Sequence, residues 1–222
     1  MKCLLLHGNT AAKEDEIYEL PQSLVERWFT SGRYARMGTI GDGSCFYHSV
    51  CRSMDTHGYG SKSHQERRAI AKALRTALSG MYTVEDHNNI KDSLVGNSKK
   101  SFQQIKDMML DPKTWAEETM IRWASKALQL NVVFLNLGNN ANTVYCGIHD
   151  SSTAELVKQN KKANVPTVVV AWIDNSHFEL VVRIDAVEDD RVIVTTRFDP
   201  SNAHDAETIK NLMHNYTKKC GI

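Results

Sequence analysis

Along the first half of the chain the apolar residues recur at helical spacing. Leu24 and Trp28 fall on one face of a helix that Pro21 opens near its first turn. Ile70, Leu74, Leu78 and Met81 predict a helix over residues 63–81 with those four side chains inward and most of its arginines and lysine on the other face. A polar, glycine-containing region over residues 86–100 separates it from a short helical pattern through Phe102, Ile105 and Met109. Asp111-Pro112 then interrupts the chain. Thr114 with Glu117 three residues on has the capping-box arrangement, so a helix is expected through Trp115, Met120, Ala124 and Leu128.

In the second half the period shortens. NVVFLNL (131–137) and TVYCGI (143–148) read as strands around an asparagine-rich turn, followed by a short helix near residues 154–159. TVVVAWI (167–173), a turn at Asp174-Asn175-Ser176, HFELVVRI (177–184) and RVIVTTRF (191–198) continue the strand pattern. Ile209, Leu212, Met213 and Tyr216 form a last amphipathic helix. Helices first and mostly hairpin-connected strands later predict an α+β fold, with helices packed against a mainly antiparallel sheet.

Composition narrows the function classes. At 222 residues the chain has room for one main domain, with residues 1–33 as an extension packed on a domain spanning 34–222. A net charge of +1, without a run of like charges, gives no electrostatic reason to expect nucleic acid. The amino-terminal apolar run is too short for a signal peptide, and TVVVAWI is far below membrane-spanning length, so an intracellular, soluble monomer is expected. Five cysteines, an odd number without CxxC spacing, imply free thiols and no metal centre.

One of those thiols has a distinctive setting. In GDGSCFYHSV, Gly41 and Gly43 permit a tight turn and close backbone approach, and Phe46, Val50 and Met54 recur at four-residue spacing behind Cys45. Cys45 therefore opens a helix, where the helix dipole favours thiolate over thiol and free amides can hold an oxyanion. Cys3, Cys51, Cys146 and Cys220 read as inert thiols.

Among nine histidines, His177 stands apart, because it begins a strand and shares a sheet face with Glu179, the spacing at which a carboxylate can hold an imidazole. His48 lies one turn past Cys45 and is expected to point alongside or away from the sulfur; the other seven read as surface residues.

Together these stretches resemble the ovarian tumour (OTU) family of cysteine peptidases. GDGSCFYHSV is similar to the family's cysteine block, with small Ser49 four positions on; HFELVV resembles its histidine block, and TWAEETMIRWASKALQLNVVFL its tryptophan-led helix and strand. The resemblance spans residues 37–184 and implies a papain-like fold acting as a deubiquitinase on ubiquitin or polyubiquitin without a cofactor, the alternatives being a non-catalytic ubiquitin-binding module on the same fold or a peptidase for another ubiquitin-like modifier. It implies Cys45 as nucleophile, His177 as general base and acid, and Glu179 as the residue orienting His177. Glutamate stands where the family more often has aspartate or asparagine, so Asp174 or Asn175 is the alternative for that role. Asp42, with the amides of residues 42–45, would form or brace the oxyanion hole, or else be a plain turn aspartate. Phe178 would flank the channel for ubiquitin's Gly-Gly tail, and Trp115 is assigned to core packing rather than substrate contact.

Overall fold

The computed structural model describes residues 5–6, 11–29, 31–93, 100–137, 165–173, 176–188 and 191–220. Among them, seven strands form one mixed sheet. These are β1 (Leu5–Leu6), β2 (Ile17–Glu19), β3 (Arg33–Met37), β4 (Asn131–Asn136), β5 (Thr167–Ile173), β6 (His177–Glu188) and β7 (Arg191–Thr195). Their order is β1-β2-β3-β6-β5-β4, and β7 pairs with the far half of β6. Pairings β2·β3, β3·β6, β5·β6 and β6·β7 are antiparallel, whereas β1·β2 and β4·β5 are parallel. The sheet is thus mainly antiparallel, as the α+β pattern implies.

Two apolar clusters sandwich this sheet. On one face, α2 (Cys45–Met54), α4 (His64–Met81), α6 (Phe102–Leu110) and α7 (Glu118–Leu128) cover Ala35, Val168, Val170, Leu180 and Val182. On the other, α1 (Gln22–Trp28) and α8 (Ala203–Cys220) cover Val169, Ala171, Ile173 and Val181. Burial on both faces explains why TVVVAWI reads as an unbroken apolar run rather than an alternation. Two further helices, α3 (Thr56–Gly60) and α5 (Val84–Ser93), complete the described elements. Part of the expected 1–33 extension enters this framework: β2 pairs with β3, and Leu24, Val25 and Trp28 of α1 are buried in the second cluster.

Three elements depart from the pattern-based expectation. Helix α4 presents Arg67, Ala71, Arg75 and Leu78 inward, while Ile70 and Met81 are exposed, because both arginines have a full set of buried acceptors. Helix α7 begins at Glu118, not Thr114, and its N-cap Glu117 makes no side-chain capping bond. Thr114 instead donates its hydroxyl to Asp111, closing the turn before the helix. Much of the polar stretch after residue 84 is helix α5, carried by buried His87 and Ile90. The strand expected at 143–148 and the helix near 154–159 lie outside the described residues.

Candidate active site

Cys45 is the first residue of α2, with Ser44 as its N-cap. The turn before it is fixed from three directions. A Cβ on Gly43 would sit 2.3 Å from the Lys113 carbonyl, so only glycine lets the 112–113 backbone lie against the loop. Gly41 has open space where its Cβ would be, which limits the close-approach expectation to Gly43. Arg75 Nη1 donates to the Gly43 carbonyl at 3.2 Å and the Ser44 hydroxyl at 3.3 Å. The same guanidinium binds the carbonyls of Met108, Met109, Asp111 and Thr114, tying α6 and the next turn to the loop. Asp42 Oδ1 accepts from the Ser44 amide at 2.8 Å, so this aspartate braces the loop preceding Cys45.

The thiol is 3% exposed. Burial pushes its pKa up to about 11; the backbone amides of Phe178, Phe46 and Cys45 pull the other way, and the Asp42 charge adds to the rise. The thiolate preference expected from the helix start is therefore outweighed by desolvation. Burial also lowers the pKa of His177, assisted by Arg36 and His48 and opposed by Asp42. Both shifts favour the uncharged forms of these two groups. The Phe178 amide facing the sulfur places Cys45 against the residue next to His177, where α2 packs on β6.

Glu179 is fully buried, and its oxygens have partners other than those expected. Oε1 accepts from the Ala12 amide and Oε2 from Arg36, each at 2.6 Å. The Asp42 charge acts on His177 against the lowering caused by burial and by Arg36. Its own pKa is lowered, because hydrogen bonds from His48, Ser44 and Arg68 outweigh the upward effect of burial. Asp174 and Asn175 lie outside the described residues, as do Cys3 and Cys146 and the side chain of Cys220. Cys51 is buried, and burial raises its pKa to about 12, as an inert thiol requires.

His48, His87, Trp115 and Phe178 take the following places. His48 is buried, its ring held between Tyr59 and Asp42. His87, expected at the surface, is buried with Nδ1 3.0 Å from the Tyr82 hydroxyl. Trp115 is 51% exposed, so its assignment to the core is wrong; Trp123 fills that role, donating its indole N–H to the Leu78 carbonyl at 2.8 Å. Phe178 packs on Phe46, Phe134 and Trp172, forming an aromatic wall beside the thiol.

The family model described as OTU-like cysteine protease matches residues 40–178, from the loop before Cys45 to the residue after His177. The chain belongs to this family. Among solved structures, an ovarian tumour (OTU) domain in complex with ubiquitin aligns with a TM-score of 0.49 and 12% identity, covering 85% of this chain and 88% of that one. The OTUD1 OTU domain gives 0.45 and 16%, with 67% and 85% covered. The Hazara virus OTU bound to ubiquitin gives 0.41 and 15%, with 72% and 82% covered. No curated protein matches the sequence. Among the described residues no group of three or more His, Cys, Asp or Glu side chains is arranged to hold a metal ion. No helix among them is long and apolar enough to cross a membrane.

Proposed function

We propose that this family member is a thiol-dependent deubiquitinase, hydrolysing the isopeptide bond after the ubiquitin carboxyl-terminal Gly-Gly. The observation carrying this reading is the position of Cys45 at the start of α2, its sulfur against the amide of Phe178, one residue from His177. In the first step the Cys45 sulfur attacks the glycine carbonyl carbon while its proton passes to the neutral His177 imidazole. Amides at the start of α2 face the negative oxygen that develops. Collapse of the tetrahedral species breaks the carbon–nitrogen bond, and His177 returns the proton to the leaving lysine amine. Water then attacks the thioester with His177 as base, releasing the ubiquitin carboxylate and the Cys45 thiol.

The high thiol pKa fits a reaction in which proton transfer accompanies attack rather than one starting from a standing ion pair. A ubiquitin probe with a carboxyl-terminal electrophile tests the assignment. One probe per chain should attach at Cys45, identified by peptide mass, and Cys45→Ala should abolish labelling. Labelling that persists in Cys45→Ala, or that falls on Cys51, rejects it.

A further inference from the structure

The loop before Cys45 is held by a buried polar chain that begins far from it. Arg67 of α4 pairs with Glu14 and with Asp15, the latter at 2.9 Å, and its Nε donates to the Tyr59 carbonyl at 3.1 Å. Its guanidinium carbon also lies 5.6 Å from the centre of the Tyr59 ring. The Tyr59 hydroxyl meets Nδ1 of His48, and Nε2 of His48 lies 3.3 Å from the Asp42 carboxylate. Asp42 in turn accepts the Ser44 amide.

The Asp42 carboxylate settles which ring nitrogen of His48 must carry a hydrogen. An ionised Asp42 only accepts, so His48 Nε2 carries a hydrogen and donates it. Nδ1 shares the second bond with the Tyr59 hydroxyl, which can serve on either side of it. Both nitrogens of the buried ring are thus satisfied. The Asp42 side chain is 27% exposed and is also reached by Arg68 at 3.4 Å, so without His48 it has an alternative partner toward solvent. Its departure would release the Ser44 amide and remove the carboxylate that acts on both Cys45 and His177.

We infer that His48 is a positioning residue: oriented by the Tyr59 hydroxyl, it fixes the Asp42 carboxylate and, through it, the loop that presents Cys45. The kinetic part of this inference rests on the proposed deubiquitinase reading; the tautomer and thiol reactivity do not.

His48→Gln can place an amide N–H where Nε2 stands, whereas the shorter His48→Asn reaches only the Nδ1 position. Nitrogen-15 imidazole spectra of the wild type should show the Nε2–H tautomer for His48. With a fluorogenic ubiquitin substrate, His48→Asn should lower kcat about tenfold with KM within about twofold, while His48→Gln recovers most of the loss. Iodoacetamide should alkylate Cys45 several-fold faster in His48→Asn than in wild type, because the Asp42 field that raises the thiol pKa has moved away; in His48→Gln the rate should stay within about twofold. Should wild type cleave no ubiquitin substrate, the functional reading fails alone, and the spectra and alkylation rates still decide the role of His48. If His48→Asn does not fold, Tyr59→Phe tests the chain from its other end and should also speed alkylation. An Nδ1–H tautomer, equal effects of Gln and Asn, or wild-type alkylation in Tyr59→Phe overturns the inference.

Discussion

Arg36 and Glu179 meet at 2.6 Å with both side chains almost completely buried, 3% and 0% exposed. Arg36 lies on β3 and Glu179 on β6, neighbouring antiparallel strands, so the pair crosses the centre of the sheet. With the Ala12 amide on its other oxygen, Glu179 links the amino-terminal segment to the strand that begins at His177. Such a pair is costly to break from one side, since the remaining charge is left buried without its partner.

Glu179→Ala should therefore destabilise the fold by about 3–5 kcal/mol, read as a lowered midpoint in urea unfolding. His177→Ala should leave stability nearly unchanged and abolish turnover. The double variant Arg36→Met/Glu179→Met removes both charges and should regain most of the stability. Its kcat should lie within about tenfold of wild type, a small effect beside the loss of a catalytic base. A stable double variant as inactive as His177→Ala would show that the Glu179 carboxylate acts in catalysis itself.

The two glycines of the loop before Cys45 should separate in the same assays. Gly43→Ala drives a methyl into the Lys113 backbone and should cost about 1–3 kcal/mol or more, with loss of activity. Gly41→Ala meets nothing within 4 Å, so its stability should equal wild type. On the proposed function its open side faces an arriving diglycine, and kcat/KM should fall at least tenfold. Equal unfolding midpoints for wild type and Gly43→Ala would contradict the packing described.

Reactivity of Cys45 toward iodoacetamide in the free protein should climb with pH. Its folded pKa is raised, so the thiol stays protonated through neutrality and the rate should rise about tenfold per pH unit, levelling off only near pH 11. The sign for protonation of His177 is opposite: with its pKa lowered, the imidazole remains a free base at neutral pH and is lost as a base only on acidification below the usual histidine range. A rate that plateaus near pH 7 would mean a pre-formed thiolate.

Trp115 should behave as a recognition residue. It is half exposed and follows directly on the 112–114 turn that abuts Gly43. Trp115→Ala should change stability by no more than about 0.5 kcal/mol, as at other exposed sites, while raising KM for ubiquitin substrates several-fold at constant kcat. A large fall in unfolding midpoint would return it to a packing role.

The local pattern carried most of the second half of the fold. TVVVAWI became β5 and HFELVV the start of β6, because a run of β-branched residues buried on both faces has few other conformations available. In the first half the same logic placed Leu74 and Leu78 of α4 correctly but put Ile70 and Met81 inward in place of Arg67 and Arg75, since hydropathy counts arginine as solvent-facing. Arg67 and Arg75 are buried because carbonyls and carboxylates distant in sequence converge on them. The short strands β2 and β3 escaped the pattern as well, being defined by pairing into a sheet completed more than 140 residues later, as the Arg36 to Glu179 separation of 143 shows.

By itself the sequence determined the chemistry on offer: a cysteine behind a glycine turn at a helix start, a histidine opening a late strand, and the family to which that combination belongs. Only the tertiary structure decided which groups serve them. Glu179 went to Arg36, Asp42 to Ser44 and His48, and Trp115 to the surface. Covalent spacing limits which side chains share a face, whereas desolvation and the competition among buried donors and acceptors decide which of them meet.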